Sequence, residues 1–138
     1  MKINNLNSET MEYYFSKTIN ASFDEAINRI TEALKTEGFG IVSEIRMHEK
    51  FKEKLDIDFK KYTILGACIP AYAYKALQVE DKIGTMLPCN VVVQELSENH
   101  IEVAAVNPIA SMMAIQNPAL EGIAGEVTNK LQKVISHL

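Results

Sequence analysis

Cys68 and Cys89 are the two thiols of the chain, and each stands beside a proline at the margin of a strand-like run. The runs are Leu65-Gly66-Ala67-Cys68-Ile69-Pro70 and Met86-Leu87-Pro88-Cys89-Asn90-Val91-Val92-Val93. A cysteine does chemistry as its thiolate, which attacks electrophiles, exchanges with disulfides and binds soft metal ions. Pro70 suits the first position of a helix, so Cys68 would sit just before free N–H groups and the positive end of a dipole, both of which favour the thiolate. If the two runs are neighbouring antiparallel strands, the end of one and the start of the next share one sheet edge, and the two thiols approach each other. Such a pair suits redox or transfer chemistry, with Cys68 as nucleophile and Cys89 as resolving thiol. With Met86 or Met112 nearby it also suits a soft ion such as Cu(I). The plainer alternative is that both are core filler, because cysteine packs as a small hydrophobe and is among the most buried residue types. No CxxC pair decides between these readings.

Around the thiols, Tyr72 and Tyr74 flank Ala73 and could line a pocket, and Asn90 and Asn107 could offer amides to a ligand. Aromatic packing and strand-end roles explain the same residues equally well. The expected ligand-binding set is Cys68, Pro70, Tyr72, Pro88, Cys89 and Asn90, forming a sheet-edge pocket for a small apolar or thiol-reactive molecule. His48, His100 and His137 fall in a charged segment, a turn and a last helical turn, where exposure is expected and ligation is not. Met112-Met113 fits a pliable core or interface patch. GxGxxG, Walker, HExxH and GxSxG patterns are absent, so the sequence names neither a cofactor nor a catalytic residue.

The elements that must position these residues follow from periodicity. Met11 to Thr18 has strand composition. Ser22 and Glu25 form a capping box, after which Phe23, Ile27, Ile30 and Leu34 recur at helical spacing until Gly38. Alternation from Ile41 to Met47 predicts a second strand with one mostly buried face. The charge-dense stretch from His48 to Lys61 predicts a short helical turn and a mobile exposed connection. Tyr62 to Ile69 is apolar on both faces, and Gly66 within it signals a bulge or a close approach. A short helix from Pro70 is followed by an expected loop from Val79 to Leu87. Cys89–Leu96 and Ile101–Val106 read as a hairpin about Ser97-Glu98-Asn99-His100. Ile109 to Ile115 predicts a short helix. Asn117 and Pro118 open a last helix with Leu120, Ala124, Val127, Leu131, Val134 and Leu138 on one stripe.

The natural packing solution is α+β: a five-stranded, mainly antiparallel curved sheet with two long helices on one face, in the order β-α-β-β-β-β-α with short helical inserts. Residues 1–10 are expected to be flexible, and 11–138 to form a single α+β domain, as befits 138 residues with 47% hydrophobic and 23% charged composition. Val92, Ala104 and Val106 alternate with Val91, Val93, Ile101 and Val103, leaving the second sheet face partly apolar, so a homodimer that covers it is expected. The net charge of −4 gives no basic stripe for a phosphate backbone, so no nucleic-acid partner is expected. Neither a secretory leader nor a run of about 20 apolar residues occurs, which predicts a cytoplasmic protein away from membranes.

The runs Ile64 to Pro70, with Ala73 and Leu77 after them, and Ile83 to Val93 resemble the family of domains of unknown function numbered 302. The similarity extends from about Met11 onward and includes the hairpin and the Asn107-Pro108 exit. The resemblance implies a fold grouped with TATA-box-binding-protein-like domains, a curved antiparallel sheet with two helices. It implies no reaction, and the fold grouping is no argument for DNA binding, because function belongs to sites.

Overall fold

A computed structural model describes residues 12–138. The expected flexible segment 1–10, together with Met11, lies outside the described residues. In chain order the elements are β1 Tyr14–Asn20, α1 Phe23–Thr36, β2 Gly40–Arg46, α2 Met47–Leu55, β3 Tyr62–Cys68, α3 Pro70–Val79, β4 Cys89–Ser97, β5 His100–Val106, α4 Pro108–Ser111 and α5 Pro118–Ser136. A 3₁₀ turn, Asp81–Met86, joins α3 to β4. The strands make one five-stranded sheet in the order β1-β5-β4-β3-β2, every neighbouring pair antiparallel. The expected α+β class and its order of long elements are therefore found.

Because β1 and β2 occupy opposite edges, α1 has to cross the whole sheet to join them. Its ends are set locally. Ser22 Oγ accepts the Glu25 N–H at 3.1 Å and the Glu25 carboxylate accepts the Ser22 N–H at 2.9 Å, a complete capping box. At the other end Gly38 takes φ 92°. The Gly38 N–H donates to the Lys35 carbonyl and the Phe39 N–H to the Leu34 carbonyl, both at 3.0 Å, which closes the helix end.

Beneath α1 and α5 lies the main core, where Ile30 and Leu34 meet Leu131 and Val134 over Leu65, Val91, Val93, Ile101 and Val103. Each is almost wholly buried, worth about 1.5–3 kcal/mol per large side chain. These strand residues alternate with half-buried Ile64, Val92, Ala104 and Val106 on the opposite face.

Several boundaries differ from expectation for identifiable reasons. β1 runs on to Asn20, because its ladder with β5 continues to Asn20 opposite His100. β2 does not bury a face: as an edge strand it leaves Val42 and Ile45 exposed, and a bulge between Ile41 and Ser43 breaks its alternation. The charged stretch is a nine-residue helix, α2, with no buried residue, followed by an irregular return. Its His48 is not free. Nδ1 accepts the Tyr62 N–H at 3.0 Å, and the ring stands edge-on to Phe23. The expected loop before β4 contains the 3₁₀ turn, pinned by fully buried Ile83. The helix expected over 109–115 is one turn, Pro108–Ser111.

Candidate functional site

The β3–β4 ladder places Cys89 opposite Ala67, and on the other side of β3 Cys68 pairs with Gly40 of β2. Cys68 thus ends one strand and Cys89 begins its neighbour, one step apart across the ladder at one end of the sheet. Both are free, half-buried thiols. The route between them goes out along α3 and back through the 3₁₀ turn, which is why both strand ends share this edge.

Between that sheet end, α3 and α5 lies a narrow cavity of ≈ 40 Å³. Cys68, Tyr72, Pro88 and Cys89 line it, joined by Met112 and by hydrocarbon from Phe39 and α5. α3 roofs the cavity and is tied to α5 at both ends. Near its start the Tyr72 hydroxyl donates to the Glu126 carboxylate at 2.9 Å. Beyond its end Asn117 Nδ2 donates to the Val79 carbonyl at 2.8 Å and to Glu80 Oε1 at 3.0 Å, while Asn117 Oδ1 caps α5 by accepting the Ala119 N–H. Between the ties a small second core of Ala76, Ile83 and Leu120 holds the roof down.

Gly66 supplies the close approach expected of it. A Cβ there would collide with the Ser43 side chain and lie 2.7 Å from Pro88 Cγ. The bare glycine therefore lets the Pro88 ring, which follows a cis peptide bond, and the bulged β2 strand close on this end of the sheet.

Electrostatics run against an activated thiol. Burial pushes the Cys68 thiol up from its ordinary value. Burial, and secondarily the charge of Cys68, pushes Cys89 up to about 11. The helix end was expected to favour the Cys68 thiolate, but loss of water from an apolar site outweighs it. Tyr72 is also raised, first by donating to Glu126, then by burial and by the carboxylate charge.

Of the six expected ligand-binding residues, Cys68, Tyr72, Pro88 and Cys89 come together in the cavity. Pro70 and Asn90 do not join them. Pro70 is exposed at the first turn of α3, and Asn90, opposite Gly66, is exposed in an adjoining depression that it shares with Met86, Pro88 and Cys89. Asn107 is buried and fully engaged, capping α4 through Oδ1 and donating Nδ2 to the Glu12 carbonyl at 3.0 Å. Tyr74 and Met113 are 67% exposed, whereas Met112 turns into the cavity wall. His100 and His137 are exposed as expected. Among the described residues no group of three or more His, Cys, Asp or Glu side chains could hold a metal ion.

Phe39, Leu120 and Ala124 also line the walls and were not foreseen in that role. Phe39 carries a local signal, since an apolar residue just after a helix-ending glycine commonly folds back onto the helix. Leu120 and Ala124 were legible only as a helical stripe.

The family model described as Domain of unknown function DUF302 matches residues 15–138. A crystal structure of an uncharacterized conserved protein DUF302 from Bacillus stearothermophilus has a TM-score of 0.83 and 28% sequence identity, covering 91% of this chain and 98% of that chain. The search of curated proteins finds no match. From Phe15 in the first strand to Leu138 beyond the last helix, this chain belongs to the DUF302 family.

Proposed function

We propose that residues 12–138 act as one binding domain for a small, slender apolar or thiol-reactive molecule, taken up beneath α3 against Cys68 and Cys89. The observation that carries this reading is that both cysteines line one narrow, almost wholly hydrocarbon cavity. Its size narrows the ligand. One water needs about 10–15 Å³ on this scale, so ≈ 40 Å³ admits a few atoms abreast, and anything broader requires α3 to lift from α5. Unbridged thiols fit a reducing compartment, and we place the domain in a cytoplasm on that ground. A redox or transfer enzyme is the weaker reading, because burial keeps both sulfurs protonated near neutral pH.

Thiol reagents of graded width test the pocket. In folded protein, methyl methanethiosulfonate is expected to label both cysteines at least about tenfold faster than a bulky aromatic disulfide, after normalising to rates in denaturant. Equal normalised rates, or no labelling by either reagent until the protein is denatured, would sink the reading.

A second reading rests on a different observation. Ile64, Val92, Ala104 and Val106 form an apolar band on the sheet face opposite α1 and α5. A second copy of the chain laid on that band gives a homodimer. Sedimentation equilibrium should then return twice 15.4 kDa, and a monomer mass at high micromolar concentration rejects it.

A further inference from the structure

We propose that Met112 gates a channel for an unbranched alkyl amine, which enters between α4 and α5 with its tail in the cavity beneath α3 and its ammonium head beside Glu121. This inference rests on the pocket of the preceding reading and names the class of ligand. Three hollows meet at Met112. They are the narrow cavity of ≈ 40 Å³, a depression of ≈ 370 Å³ between α4 and α5, and the depression of ≈ 290 Å³ that holds Met86 and Asn90. Met112 is the one described residue that lines all three. Leu120 and Ala124 line both the cavity and the α4–α5 depression, so these two hollows share a wall.

The main chain of the gate is fixed. The Met112 N–H donates to the Pro108 carbonyl, and the Met112 carbonyl accepts the Ile115 N–H, both at 3.0 Å. Its half-buried side chain is the part able to turn, an unbranched thioether with three rotatable bonds. What lies on each side of it selects the ligand. No charged side chain lines the cavity, so the portion that enters is hydrocarbon, and a width of a few atoms suits a single chain and rejects a ring. The cavity takes the chain end. The depression, with Ile109, Met113 and Ile115 along it, takes the remaining methylenes. Glu121, exposed on the first turn of α5, is the one charged residue lining that depression. Asn117 beside it is already engaged with Val79, Glu80 and Ala119. The head therefore meets a carboxylate, which attracts an ammonium and repels another carboxylate.

The test is calorimetric titration of the reduced full chain near neutral pH with n-butylamine, n-hexylamine, n-octylamine, n-octanoate and cyclohexylamine. Affinity should rise about threefold to fourfold per added methylene along the amines. The octylamine should bind about fivefold more tightly than octanoate, and cyclohexylamine should not bind. Saturating n-octylamine should also slow labelling of Cys89 by methyl methanethiosulfonate at least about tenfold, since the tail lies against that wall. Affinity independent of chain length, or undiminished labelling, overturns the channel, and octanoate bound as tightly as octylamine overturns the ammonium head. Two variants test the gate, with the fold checked by circular dichroism. Met112→Ala should admit cyclohexylamine, and Met112→Ile, stiff at χ1, should slow n-octylamine association at least about tenfold. A folded Met112→Ala that still excludes the ring, or a folded Met112→Ile with unchanged association, overturns the gate. Should neither variant fold, the wild-type titration and protection decide. If narrow thiol reagents enter as proposed above while no n-alkylamine binds, the channel falls and the pocket stands.

Discussion

Cys89 is the residue whose chemistry depends most on its surroundings. With its thiol pushed up to about 11, alkylation should be slow at neutral pH and should accelerate about tenfold per pH unit until that value is reached, a profile that rate measurements by mass spectrometry will show. The same shift has a consequence for stability. The unfolded chain ionises this group near its ordinary value of 9.0 while the folded chain holds the proton. The stabilisation is therefore complete below about 9 and declines as pH rises toward about 11. Cys89→Ser should remove that decline from a denaturant series run against pH. Gly66→Ala tests the close approach. Its new Cβ meets Ser43 and Pro88, and the substitution should cost about 1–3 kcal/mol by urea unfolding. No loss would mean that β2 can slide away at no expense.

At the scale of elements, α3 is the part of the site able to move. A short helix with Ala76 as its one buried residue, it is held mainly by its ties to α5. Tyr72→Phe removes the hydroxyl bond to Glu126 while leaving the ring in place. We expect faster labelling of Cys89 by bulky reagents with only about 0.5–1.5 kcal/mol lost, since the bond is exposed. Unchanged labelling would show that the roof opens elsewhere. α1 behaves differently, because its ends are satisfied by its own sequence. Ser22→Ala should cost about 1 kcal/mol through the lost cap and leave cysteine reactivity unchanged.

Across the whole molecule, the sheet is covered by long helices on one face and carries an apolar band on the other. Among the described residues no helix is long and apolar enough to cross a membrane. If the band is a dimer interface, Val92→Lys should halve the solution mass with the fold intact by circular dichroism, since the side chain lies opposite the core. A dimer that persists in this variant would place the contact elsewhere.

What was legible in advance was what short-range physics controls. The Ser22 capping box, the Gly38 terminus, the prolines opening α3 and α5, and the alternation of the β4–β5 hairpin all act within a few residues, and the structure keeps each of them. That Cys68 and Cys89 lie at the same end of the sheet was also readable, because two antiparallel neighbours joined by a return segment must share an edge. The exposure of β2, the anchoring of His48 and the placing of Asn90 in the depression beside the cavity were not readable. Each depends on which strand became an edge and where a bulge fell. The ionisation of the thiols belongs with these. The sequence set a helix start beside Cys68, a local effect favouring charge. Only the packing of α3 and α5 over the sheet end removed the water, and desolvation by many distant atoms outweighs one dipole.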